Sequence, residues 1–486
     1  MNLNLLLPEI SIAVTALVVI LLDLFISRRA VSVIISLAGL AVAFGFSIAM
    51  WNGDSQSIFN GLLALDNYAI FFKLLFIIIA LLVIMASVDY SSRFSRFQAE
   101  YHALLLVATL GMMFIAAATN LISVFVSLEL VAIACYILVA LLKNKNSTEA
   151  SLKFVLLGGI ASAVLLYGMA LVFGFSGKTG LSEIFATISS MSAQSLMDSP
   201  ALLLGIVLML ATFGFKIAAF PFQMWAPDVY EGAPTPVTLF LSVGSKAAGF
   251  AVILRVFFSA FNLPEALSSD WGIIFAILSA AGMLLGNILA IQQGKIKRML
   301  AYSSIAHSGY IMIGLAAIGL SSTASLELQS NLLFYIVAFA LADLAAFTAV
   351  IIISNRLHSD LIEDYAGIGR RSKLLAAALT LSLISLIGLP PTAGFIAKFY
   401  IFSGAMDSDL LWLVVIAVIA SVISAFYYLR VVKVMWLHKP VSDETLAASL
   451  LPKLALALSC LGVLILGIAP SLIIEITEAA ASMLGF

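Results

Sequence analysis

Charge is what this sequence has least of. Only 10% of its 486 residues are Asp, Glu, Lys or Arg, against 63% hydrophobic, whereas a soluble globular domain carries about 25% charged residues. That deficit excludes an ordinary water-soluble globule, and a net charge of -1 leaves no basic face for nucleic acid. Cysteine is scarce too. Cys135 and Cys460 both lie in apolar runs and offer neither a disulfide framework nor a CxxC metal pair. Cysteine clusters, a GxGxxG in a strand–helix context and paired haem histidines are all missing, so no redox or nucleotide site is legible. The first apolar run starts almost at Met1 without a basic n-region or an A-x-A site, and reads as a retained helix, not a cleaved signal peptide.

What fills the chain instead is a succession of about fourteen apolar runs of roughly 20 residues, each long enough to cross a hydrocarbon core as a helix. The expected fold is an all-α polytopic membrane protein. It divides into an N-terminal three-helix segment (1–100), two units of five spans (101–260 and 272–434) and a C-terminal helix (451–475). Links are short, and a helix lying on the membrane face is expected over Leu181–Met197. Of the 24 Lys and Arg residues, 17 fall at links after odd-numbered spans and one, Lys178, after an even-numbered span. By the positive-inside rule both termini then lie on the outer side.

Against this apolar background, four charges stand in mid-span: Glu129 in span 5, Lys216 in span 7, Lys246 in span 8 and Lys398 in span 12. A charge at membrane depth costs at least ~2.5–3.5 kcal/mol, so each marks a functional candidate. Glu129 and Lys216 are 87 residues apart, and His307 and Lys398 are 91 apart. The two pairs are offset by an odd number of spans, which implies inverted repeats. Two spans also carry helix breakers: Pro221 leaves the carbonyl of Ile217 without its helical partner, and Pro390 and Pro391 do the same for Leu386 and Ile387. A packing kink is the commoner fate of a membrane proline, but here both breaks lie beside a lysine.

Burial lowers the proton affinity of a lysine and a nearby carboxylate restores it. An approaching Glu129 would therefore hold the proton on Lys216, and a retreating one would release it. Lys246, among Gly244, Ala247, Ala248 and Gly249, has room for water. His307, the only histidine well inside a span, has Tyr302, Ser303, Ser304 and Ser308 around it in sequence. Lys153 and Asp343 are candidates for relay or tuning. Lys73 and Arg255 are expected to pair locally or snorkel. Asp228 and Glu231 are expected to fix a turn, and Lys295, Lys297 and Arg298 to mark orientation.

Four stretches, LISVFVSLELVAIACYIL, WAPDVYEGAPTPVTLFLSVGSKAAGFAVILRV, QQGKIKRMLAYSSIAHSGYIMIGL and GLPPTAGFIAKFYIF, resemble the antiporter-like membrane subunits of respiratory complex I, most closely the subunit N family of bacterial NADH–quinone oxidoreductase. The resemblance covers nearly the whole chain. It implies a proton-translocating subunit of the bacterial cell membrane in which Glu129 modulates Lys216, Lys246 and His307 continue a hydrated axis, and Lys398 delivers protons outward. It implies no cofactor in this chain, with FMN, Fe–S clusters and quinone in other subunits, and M-, K-, J- and L-like subunits as partners. Gln223 stands where relatives often have His, and Asp343 where they often have a neutral amide. The alternative is a subunit of a multisubunit cation–proton antiporter, against which the 225–237 loop speaks.

Overall fold

A computed structural model of the chain describes residues 3–25, 29–94, 97–191, 199–261, 265–320, 326–440, 446 and 448–483. Among the described residues, twelve helices are long and apolar enough to cross a membrane. The first six are α1 (Leu7–Asp23), α2 (Arg29–Ala49), α3 (Asn67–Ser87), α4 (Gln98–Ala117), α5 (Leu121–Val139) and α6 (Lys145–Ser176). A short α7 (Leu181–Ser189) follows, then the shorter apolar α8 (Pro200–Lys216) and the eight-residue α9 (Trp225–Gly232). The chain continues through α10 (Thr235–Ser259), α11 (Glu265–Ile291), α12 (Ile296–Leu320) and α13 (Leu326–Leu357). It ends with α14 (Lys373–Ile387), α15 (Ala393–Asp407), α16 (Leu411–Leu437), α17 (Leu450–Ile468) and α18 (Ser471–Ala481). The all-α reading holds, and the two remaining spans of the fourteen are the broken ones, α8 with the segment after it and α14 with α15.

Some local features differ from expectation. A hairpin of β1 (Gln56–Ile58) and β2 (Leu63–Leu65) pairs antiparallel in the link before α3; strands of three residues leave no readable alternation. The last span stops at Ile468 because Pro470 has no N–H to continue the ladder, and α18 turns away to pack on α3 and α13. Of the expected helix Leu181–Met197, the part to Ser189 forms and 192–197 lie outside the described residues, as do Arg28 and Arg96.

Position in the bundle decides which helices can carry polar groups. The apolar windows of α10, α12 and α13 are 94%, 89% and 89% buried, against 33% for α2, α6 and α17. Peripheral helices turn side chains such as Leu156, Ile160 and Leu166 outward, while Lys246, His307 and Asp343 sit on the three central ones. Two further buried cations are neutralised where they stand. Lys73 meets Glu9 of α1 at 2.6 Å. Arg255 makes a two-pronged contact with Asp66 at 2.7 and 2.9 Å, and Asp66 also caps α3 through Ala69 N–H (2.7 Å). These are the local pairs expected for both cations.

Asp66→Ala would leave the Arg255 guanidinium buried without its anion, and breaking such a pair costs about 3–5 kcal/mol. The expected outcome is a large fall in the amount of chain accumulated in membranes and in its thermal unfolding temperature. An unchanged melting profile would contradict it. Gly394 approaches α14 so closely that a Cβ there would lie 1.8 Å from the Ser385 carbonyl oxygen. Gly394→Ala must separate α14 from α15, with an expected loss of about 1–3 kcal/mol, the usual cost of overpacking, read by the same melting measurement.

Candidate functional site

Lys216 is the last residue of α8. The Ile217 carbonyl, deprived of a donor by Pro221, accepts instead from Ser308 Oγ on α12 (2.6 Å). The indole N–H of Trp225 donates to the Phe215 carbonyl (2.8 Å). The Lys216 side chain borders a cavity with about 20 Å³ of space for a water centre, also lined by Cys135, Phe154, Trp225 and Ser245. That is room for about one water. Among the described residues no hydrogen bond or ion pair fixes the Lys216 ammonium. Glu129 is near enough for the two charges to interact but does not form a salt bridge with it. Its carboxylate accepts from Ser162 Oγ on α6, and it lies half-buried on α5 between the outward-facing Val126 and Ile133.

The central node is built from α10, α12 and α13. A π-helical turn over Leu241–Ser245 interrupts α10 just before Lys246, and such turns recur at functional sites. Lys246 Nζ donates to both the carbonyl and the Oγ of Ser304. Ser304 Oγ lies 3.5 Å from Ser242 Oγ, and Ser242 donates to the Asp343 carboxylate. Two hydroxyls, each able to donate and accept, therefore stand between amine and acid. Three residues along α12, His307 Nδ1 is 3.0 Å from the Tyr335 hydroxyl, and its ring packs on Phe339 (4.9 Å). Lys246, His307 and Asp343 are 2%, 4% and 2% exposed.

At the second break the amine lies beyond the prolines and folds back. Gly388 ends α14 at φ 91°, a left-handed conformation that suits glycine. Lys398 Nζ then donates to the carbonyls of Ile387 (2.7 Å) and Leu386 (3.3 Å) and to Ser421 Oγ on α16 (2.8 Å). These are the two carbonyls that Pro390 and Pro391 leave without donors. Lys398 also sits over the Tyr310 ring (4.3 Å), and a small cavity bordered by His307, Tyr335, Ser385 and Lys398 separates it from the histidine.

Other candidates lie elsewhere. Lys153 is half-exposed and pairs with Glu149 (3.0 Å) and Asp228 (2.9 Å), away from the axis. Asp228 also binds Arg298 (2.8 Å), and Glu231 binds Arg298 (2.9 Å) and Lys295 (2.7 Å). Partial burial alone would raise both carboxyls. The hydrogen bonds from Lys153 and Arg298 to Asp228, and from Lys295 and Arg298 to Glu231, outweigh it and hold both below the ordinary carboxylate range. His307 is not the only deeply placed histidine: His102, in the second turn of α4, is fully buried too. The Gln223 Oε1 is buried without a partner among the described residues. Ser162, Ser242, Tyr335 and Ser421 touch the charged groups but escaped the sequence reading, because a single hydroxyl in an apolar run carries no distinctive signal.

Residues 118–424 match the model of the family described as NADH:quinone oxidoreductase/Mrp antiporter, TM. The NADH-quinone oxidoreductase subunit N of Dehalococcoides mccartyi is 50% identical over 484 residues, covering 99% of each chain. A chain of respiratory complex I from Thermus thermophilus with bound aureothin superposes with a TM-score of 0.81 at 30% identity, covering 97% of this chain and 99% of that one. A chain of the Mrp complex from Dietzia sp. superposes with a TM-score of 0.88 and covers 100% of this chain and 98% of that one, but at 21% identity it shares the fold alone. The 50% identity along the whole length, on a bundle with two broken helices and buried amines between them, places the chain in the NADH-quinone oxidoreductase subunit N family.

Proposed function

We propose that this chain is a proton-translocating membrane subunit of a NADH–quinone oxidoreductase, with the electron transfer from NADH to quinone carried out in other subunits. The observation that carries the reading is the line of polar groups joining the two breaks. Lys216 and Ser245 border one cavity, Lys246 reaches Asp343 through two serines, and His307 and Lys398 share a second cavity. None of Lys246, His307, Asp343 or Lys398 is turned toward an aqueous surface. Groups with exchangeable protons, spaced by hydroxyls and single-water cavities, suit stepwise proton transfer.

In this reading Glu129 tunes Lys216, Lys246 and His307 carry the proton onward, and Lys398 hands it to the outer side. Asp343 adjusts the charge at the central node, while the ion pairs of Lys153 give it a structural part. The half-exposed Glu129 stands on an apolar face where lipid would penalise it. That face suits cover by a neighbouring subunit, M-, K-, J- or L-like, whose charge could move Glu129 between Ser162 and Lys216. FMN, Fe–S clusters and quinone belong to other subunits. The membrane is the bacterial cell membrane, with the termini on its outer side as the Lys and Arg distribution indicates. Moving one charge across it costs ~2.3 kcal/mol per 100 mV, which electron transfer must supply.

Lys216→Ala in the assembled complex is expected to lower NADH-driven proton uptake by inverted vesicles about 10²-fold, the low end of what one positioned proton-transfer group contributes. A variant that still reduces quinone and pumps at the original rate would make the chain a scaffold. Without an electron donor, the same vesicles are expected to show no exchange of Na⁺ for H⁺; robust exchange would favour the cation–proton antiporter.

A further inference from the structure

The stretch WAPDVYEG opens the 225–237 loop that speaks against the antiporter alternative, yet the relay uses none of it. It forms α9, with non-helical chain on both sides: 217–224 before it, and Ala233 and Pro234 after it. Its first residue closes one site. Trp225 stacks on Phe154 of α6 with ring centroids 4.6 Å apart at 15°, and both rings line the Lys216 cavity. Elsewhere along α9 a polar pocket of about 270 Å³ is bordered by Glu149, Lys153, Asp228, Glu231, Lys295 and Arg298. Lys153 and Phe154 are adjacent in sequence: the first lines the pocket, the second the cavity.

The other end of α9 reaches the second site. Tyr230 is 1% exposed, and its hydroxyl lies against Ser304 and Ser242, with the Asp343 charge in range. Asp228 and Glu231 of the same helix instead enter the ion-pair network, which ties α9 to Lys153 of α6, to Lys295 just before α12 and to Arg298 within it. Lys297 adds hydrogen bonds to the carbonyls of Glu231 (2.8 Å) and Ala233 (2.7 Å). Partly exposed ion pairs contribute little each, and the rest of the hold on α9 is the burial of Trp225, Ala226, Val229 and Tyr230.

We infer that Trp225–Gly232 is a movable cap on the inner side, seated by its buried aromatic face and latched by the Asp228 and Glu231 ion pairs, that controls water access to the Lys216 cavity and the Lys246–Asp343 node together. Trp225 and Tyr230 act through the groups they cover and are positioning residues. With the cap seated, the two charged sites are cut off from the inner pocket at once. With it lifted, both are open to reloading from that side. This rests on the relay reading for its purpose, but the motion of the cap is measured independently of pumping.

The test uses the intact complex in inverted vesicles. Asp228→Asn combined with Glu231→Gln is expected to speed amide hydrogen exchange across 225–232 roughly tenfold while other spans keep their protection. It should also raise the passive proton leak, measured without electron donor, several-fold. Adding Lys216→Met to the same background should suppress that leak. Unchanged exchange in 225–232 overturns the cap while leaving the relay untouched. A leak that persists after Lys216→Met also overturns it, because the double variant would then have opened a route unrelated to the capped amine. If the double variant does not assemble, Lys153→Met removes one of the same ion pairs from a half-exposed position, and the same readings decide.

Discussion

Hydrocarbon offers a peptide carbonyl nothing to bond. Any helix that breaks at membrane depth must therefore find donors within the protein for each oxygen it releases. This constraint organises the molecule. At the first break the Ile217 carbonyl is taken by Ser308, which brings α12, and with it His307, against the end of α8. At the second, the Leu386 and Ile387 carbonyls are taken by Lys398 itself. The amines and the breaks thus belong to one arrangement, in which the freed backbone supplies the polar lining that lets an ammonium exist in a bilayer.

The buried cations fall into two kinds. Lys73 and Arg255 are matched by full carboxylates, Glu9 and Asp66, in contact with them, an arrangement that fixes charge in place. Lys246 and Lys398 are held by hydroxyls and carbonyls, and Lys216, among the described residues, by neither. Neutral partners solvate an amine without binding its proton to one site. The chemistry of the partner, more than depth alone, separates cations that brace the bundle from those suited to exchange.

Much of this was legible in the residues. The apolar runs fixed the helices, Pro221, Pro390 and Pro391 the breaks, and mid-span charges the candidate groups. Three things were not legible. The sequence has Glu129 approach or leave Lys216, but not the Ser162 hydroxyl it turns to, because helix rotation depends on packing that a single apolar run does not encode. The link from Lys246 to Asp343 passes through Ser242 and Ser304, and serines in apolar helices more often bond back to their own backbone. The segment carrying Asp228 and Glu231 looked like a turn but forms α9, and only the fold brings Lys153, Lys295 and Arg298 around it.

Lys398 repays a closer count. An ammonium has three N–H groups and no lone pair, and here it meets three oxygens, of Leu386, Ile387 and Ser421. Neutral, it would have two N–H groups and a lone pair for the same three neighbours. Either one carbonyl loses its donor, or the Ser421 hydroxyl swings round to donate and so disturbs its contact with Tyr310. The stitch that closes the second break thus has a tension set by a single proton, and its departure is felt at once in the main chain or in the neighbouring tyrosine.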